Sequence, residues 1–152
     1  MPFRYRLQKV LDFRIRKKEE QLQEVIKAKN EVERIQGLID ANDKEINGVI
    51  YTMRHNPDYR LMDSYDKYLK HLYGRAEQLQ EEKTQAEEQV RIEEEKLVEK
   101  EKEVKVLEKH KEKLKEEYNE EMKKIEIKEL SEIGVQKHFQ RLRERKQEEG
   151  DD

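Results

Sequence analysis

The sequence predicts an all-α protein, an antiparallel two-helix coiled-coil hairpin whose C-terminal helix is the longer. Three observations lead there. Of 152 residues, 47% are charged and only 33% hydrophobic, the balance of long solvated helices rather than of an ordinary globule. Two prolines and five glycines interrupt the chain. Apolar residues recur in steps of four and three, and strand formers never alternate cleanly. A β-sandwich, a barrel or a nucleotide-binding sheet is excluded on that pattern, and an enzyme pocket would have little core to sit in.

The first helix is expected over about 5–53. From Leu11 the spacing visits Leu11, Ile15, Lys18, Leu22, Val25, Lys29, Val32, Gln36, Ile39, Asp43, Ile46, Ile50 and Met53. One row of this seam is nearly pure, with Lys18 its exception, while the other carries Lys29, Gln36 and Asp43. Ala28, Ile35 and Val49, each one residue before that weaker row, widen the stripe beyond a strict two-stranded seam. Gly37 and Gly48 fall on the outer side and cost about 1 kcal/mol each in a helix.

A bend is expected over about 54–60, at His55-Asn56-Pro57-Asp58. Proline disfavours helix at the residue before it and suits a first helical position, and Asn56 or Asp58 can cap the second helix. That helix, over about 61–133, carries the stronger pattern: Met62, Tyr65, Leu69, Leu72, Ala76, Leu79, Lys83, Ala86, Val90, Glu93, Leu97, Lys100, Val104, Leu107, Lys111, Leu114, Tyr118, Glu121 and Ile125. Gly134 reads as its end, with a short helix over about 135–146 around Phe139 and Leu142 and a frayed tail over 147–152. The whole of 1–152 reads as a single coiled-coil unit.

A short bend between two amphipathic helices favours an antiparallel hairpin, because each stripe finds its nearest cover in the other. The arms are unequal, about 75 Å and about 130 Å at 1.5 Å per residue. Pairing Met53 with a residue near Leu61 brings Tyr5 near Lys109. Everything after about Lys111 then overhangs, still carrying Leu114, Tyr118, Met122, Ile125, Leu130 and Ile133. Such a stripe should fold back, dimerise or enter another protein.

Net charge is −3, so any electrostatic signal must be local. The chain has no cysteine, and hence no disulfide framework, zinc ribbon or thiol nucleophile. No apolar run approaches the roughly 18 residues of a membrane span, and Met1 to Lys18 lacks a signal peptide's apolar core. The expectation is a soluble cytoplasmic protein.

Arg4, Arg6, Lys9, Arg14, Arg16, Lys17 and Lys18 stand against one acid, Asp12, at the N-terminus. Cations there oppose the helix dipole, so either an acidic partner docks on them or they form a solvated face. Nucleic acid is not expected, since 16 acids against 10 bases from Glu81 to Glu121 would repel phosphates. Lys137, Arg141, Arg143, Arg145 and Lys146 either complement the dipole of a helix C-terminus or bind a partner. Tyr68 and Tyr73 lie beside the seam filled by Tyr65, Leu69 and Leu72, leaving aromatic surface of the kind found at interfaces, unless the tip packs these rings on its own loop. His55, His71, His110 and His138 have no metal-ligand spacing, and no phosphate loop or nucleophile elbow occurs. No catalytic residue, metal or cofactor is expected, and the protein reads as non-enzymatic.

The opening Phe3-Arg4-Tyr5-Arg6-Leu7-Gln8-Lys9-Val10-Leu11-Asp12-Phe13-Arg14 resembles the start of the FliJ family of flagellar type III export proteins. Tyr65-x-x-Tyr68-Leu69-x-x-Leu72 resembles the family's aromatic and leucine motif. Lys128-Glu129-Leu130-Ser131-Glu132-Ile133 with Phe139 resembles its C-terminal elements. In length and order the resemblance covers essentially the whole chain. It implies a cytoplasmic coiled coil, similar to the stalk of the rotary ATP synthases, that enters the pore of the hexameric flagellar export ATPase, promotes ring assembly and contacts the membrane export gate, peripheral to the inner face of the membrane. The family is also described as recycling export chaperones. By the resemblance Tyr65, Tyr68 and Leu72 would face the gate, and Arg6, Leu7, Leu11, Arg14, Leu130, Phe139 and Arg141 the ATPase. Arg75 stands where the family's gate patch has a small apolar residue, and Ser131-Glu132 where it has Asp-Glu, which weakens transfer residue by residue.

A stalk predicts a monomer when isolated. Two readings from other classes stand beside it: a homodimeric coiled-coil tether or spacer whose overhang pairs with a second copy, and a holdase chaperone whose tip aromatics grip unfolded clients.

Overall fold

A computed structural model describes residues 2–150. The chain is all-α: α1 spans Gln8–His55 with 48 residues and α2 spans Met62–Gly150 with 89. Its contacts fall into two compact units, Asp12–Val104 and Met1–Leu11 with Lys105–Asp152, where the sequence predicts a single one.

Within Asp12–Val104 the two helix segments lie side by side and antiparallel. Asn42 donates to the Leu72 carbonyl at 3.0 Å, and Gln21 to the Glu93 carbonyl at 3.0 Å. Both pairs obey the register that sets Met53 against Leu61. Along α2 each predicted seam position from Met62 to Val104 is buried or half-buried, and Leu72, Leu79 and Val104 are core. Burying such side chains stabilises by about 1.5–3 kcal/mol each.

On α1 the strong row is as expected, with Leu11, Val25 and Ile46 buried. The weaker row sits one residue earlier than expected. Gln21, Ala28, Ile35, Asn42 and Val49 face inward, while Leu22, Lys29 and Asp43 are exposed. Rows three or four residues after the pure one both satisfy a coiled coil's alternating steps, and the earlier row is the one that turns Ala28, Ile35 and Val49 inward and leaves Lys29 and Asp43 in solvent. Asn42 and Gln21 tolerate burial because each finds a partner on α2.

The bend forms where expected, over 56–61. α1 runs two residues past the predicted end, where the Asn56 amide donates to the Thr52 carbonyl at 2.9 Å and the His55 ring stacks on Tyr51 at 4.0 Å. Asp58 sets up the next helix: its carboxylate accepts from the Arg60 amide at 3.0 Å and its carbonyl from the Leu61 amide at 2.9 Å.

The other unit differs from expectation at both ends. Helix starts at Gln8, not near residue 5; residues 2–5 run without helix and Tyr5 is buried. Its hydroxyl lies 2.7 Å from His110 Nδ1 and 3.4 Å from the Leu107 carbonyl, and the Phe3 ring meets Tyr118 at 5.6 Å. This strap extends the cover on α2, so Leu114, Tyr118 and Met122 are half-buried and the uncovered stretch begins after Met122 rather than Lys111. Gly134 does not end the helix. Its φ is not positive, and α2 continues through it to Gly150, absorbing the predicted short helix and residues 147–150 of the predicted tail. A single glycine costs only about 1 kcal/mol, less than the strong helix formers on either side supply. Asp151 and Asp152 lie outside the described residues.

Candidate partner-binding surfaces

At the tip of the Asp12–Val104 unit Tyr68 reaches the surface, 42% exposed, as do Tyr51, Tyr59 and Tyr73. The Tyr68 hydroxyl donates to Glu45 at 3.0 Å, which raises the phenol's pKa because the bond and the neighbouring negative charge both favour the protonated form. The His71 ring stacks at 6.5 Å. These residues, with Leu38, Ala41 and Arg75, line a shallow depression of about 310 Å³. Tyr65 is half-buried in the seam, and Leu72 is buried at 5% exposure. Leu72 therefore supports the patch from beneath rather than facing a partner, a correction to its expected role. The step of seven from Tyr65 put it in the seam, and a seam residue is covered by the opposite helix.

The expected end contacts divide in the same way. Arg6 and Arg141 are exposed, Leu7 and Arg14 half-exposed, and Leu11 is buried at 3% exposure. Leu11 is core, so its expected place on a contact surface is corrected as well. Arg14 donates to the Glu103 carbonyl at 3.3 Å, which anchors the guanidinium beside α2.

Beyond Met122, within the unit that contains Lys105–Asp152, every described side chain is exposed. Ile125, Ile127, Leu130, Ile133, Val135, Phe139 and Leu142 all belong to this stretch, with Leu130 at 69% and Phe139 at 56%. Continuing the seam's steps of three and four from Tyr118 reaches Ile125, Val135, Phe139 and Leu142. Ile127 and Leu130 project from the other side of the helix, with Ile133 between. Sequence reasoning names neither Ile127 nor Val135; reading only one face hides the first, and the expected break at Gly134 the second. An ordinary surface helix shows one apolar stripe, so apolar side chains on two faces mark a segment with more than one side to cover.

The chemistry elsewhere is structural. Arg91 bridges Glu88 and Glu95 on the open face of α2 and lowers the Glu88 carboxyl's pKa. Exposed pairs of this kind are worth little to stability. Among the described residues no group of histidines and acids could hold a metal, and no helix is long and apolar enough to cross a membrane.

The profile of a family described as "Flagellar FliJ protein" matches residues 3–146. No curated protein and no solved structure matches the chain.

Proposed function

We propose that this chain, which belongs to the flagellar FliJ family and is a component of the flagellar export apparatus, acts as a non-catalytic stalk between the hexameric export ATPase and the membrane export gate. The observation that carries this reading is the α2 segment from Ile125 to Leu142, apolar on two faces and uncovered. A channel through a ring surrounds an inserted helix, so it can cover both faces, whereas a lone partner helix covers one. Leu130, Phe139 and Arg141, together with Arg6, Leu7 and Arg14, are the proposed contacts with the ATPase. Tyr68, backed by Tyr65, is the proposed gate contact, and Leu11 and Leu72 act through the fold. The protein would then work in the cytoplasm at the inner face of the membrane, a monomer when isolated, with export chaperones as further partners.

Parallel self-pairing is disfavoured by the seam itself. Past Tyr118 it passes through Glu121, Lys128 and Glu132, which a parallel homodimer would set against their like-charged copies.

The test is the steady-state ATP hydrolysis rate of the purified export ATPase from the same organism, titrated with the full chain and with an Ile127→Ser, Leu130→Ser, Phe139→Ser variant. Stimulation by the full chain that is lost in the variant, with helical circular dichroism unchanged, is the expected result. Equal stimulation by both rejects the α2 end as the contact, and the absence of both binding and stimulation rejects the stalk.

A further inference from the structure

Residues 2–5 are not helical, yet they are firmly placed within the unit they share with Lys105–Asp152. Tyr5 is anchored by His110 and Leu107, and Phe3 by Tyr118. Between this strap and α2 lies a cleft of about 600 Å³, within the size range of binding pockets, lined by Phe3, Arg4, Tyr5, Gln8, Lys111 and Lys115. Three of these six are cations, two are aromatic, and none is an acid.

The cations are not used internally. Among the described residues Arg4, Lys111 and Lys115 form no ion pair with a carboxylate, whereas Lys17, Lys27 and Lys83 each hold a glutamate on their own helix. Lys111 is steered instead by the neutral Gln8 side chain, which accepts from its ammonium at 2.7 Å. The first turn of α1 opens on the same cleft at Gln8 and contains no acid to complement the positive end of its dipole. Since the Tyr5 hydroxyl is occupied by His110 and Leu107, this residue offers the cleft the side of its ring.

We propose that this cleft binds an acidic peptide segment, its carboxylates seated on Arg4, Lys111 and Lys115 and an apolar neighbour lying against the Phe3 and Tyr5 rings. A free phosphate would use the cations and leave the rings in water, whereas a carboxylate carried beside an apolar side chain uses both. The site requires neither the ATPase nor the gate contact, so its test stands apart from theirs.

The full chain is titrated against a fluorescein-labelled peptide of alternating Glu and Leu, read by fluorescence anisotropy at low salt and at about 1 M salt, where the Debye length falls to about 3 Å. Binding that weakens with salt is expected. Arg4→Gln with Lys115→Gln should weaken it about tenfold, since two exposed charge contacts are lost. Lys105→Gln with Lys113→Gln, equally exposed and outside the cleft, should change it by less than about twofold. The proposal is overturned if the peptide does not bind, if a Gln and Leu peptide binds as well, if the control pair loses as much, or if millimolar inorganic phosphate displaces the peptide. Circular dichroism of both variants establishes that each remains helical.

Discussion

Replacing Asn42 by leucine should make the protein more stable and its pairing less exact. Asn42 is 5% exposed in the seam of α1, and its amide donates to the Leu72 carbonyl at 3.0 Å. Leucine forfeits that bond, a net loss of about 1 kcal/mol, while Leu72's carbonyl keeps its place in the α2 ladder. Burying a leucine side chain returns about 1.5–3 kcal/mol. The balance is a gain of about 1 kcal/mol, or about 2–4 °C in Tm for a chain of this size. What is lost is a constraint, since a slip of register must first break the bond to the Leu72 carbonyl and leave the buried Asn42 amide unpaired, and a buried polar seam residue fixes register at a cost in stability. Urea unfolding followed by circular dichroism should therefore show a higher midpoint with a smaller slope, as a native ensemble with looser pairing exposes less new surface on unfolding. Asn42→Ala, which loses the bond and gains no burial, should instead cost about 1 kcal/mol. A leucine variant destabilised by more than about 1 kcal/mol would refute the reasoning, because the bond would then outweigh the apolar burial.

Leu11→Ala and Leu72→Ala should each cost about 2–5 kcal/mol by thermal or urea unfolding, as expected for buried leucines, whereas Tyr68→Ala should cost little; similar small effects for all three would make the leucines surface contacts after all. Tyr5→Phe removes the hydroxyl shared by His110 and Leu107 and should weaken the strap by about 1 kcal/mol, seen as faster amide exchange near Leu107 and His110; unchanged exchange would mean that the ring alone holds the strap. Glu93 should make stability fall in acid. Its carboxyl pKa lies below the usual 4.5, first because Gln21 donates to it and then because Lys96 and Gln89 do. The folded state therefore binds its proton more weakly than the unfolded chain, and the stabilisation present above about pH 4.5 is lost as pH falls through the lower folded value. Tm measured between pH 7 and pH 3 should drop less in Glu93→Gln than in the parent; equal drops would assign the acid sensitivity to other carboxylates.

The second helix was readable residue by residue because its seam is apolar at most steps: fixing Met62 fixed the burial of positions as far as Tyr118, including the polar Lys83 and Glu93. The first helix was half as legible. At Leu22 the more hydrophobic neighbour attracted the assignment away from Gln21, and at Asp43 against Asn42 neither residue carried an apolar signal. Their inward positions depend on hydrogen bonds to Glu93 and Leu72, partners 72 and 30 residues away. The register did bring Tyr5 near Lys109, beside Leu107 and His110, but nothing local says that residues 2–5 leave the helix and lay Phe3 on Tyr118. Gly134 misled for the opposite reason: the local stop signal was real but weaker than the helix formers around it. Among the expected partner-binding residues, the seam leucines Leu11 and Leu72 became core, while Tyr68 and Leu130 off the seam, and Phe139 where the seam runs on uncovered, stayed at the surface. Periodicity identifies what a helix hides far better than what it shows, because the hidden face answers to one geometric rule and the shown face to whatever partner selected it.

The most direct test of the stalk reading is amide hydrogen exchange over residues 123–146, measured on the full chain alone and with the assembled export ATPase. The uncovered end of α2 should exchange quickly alone and become protected throughout that stretch in the complex, with little change around Tyr68. Protection confined to the tip, or none over 123–146 while the two proteins are bound, would contradict it.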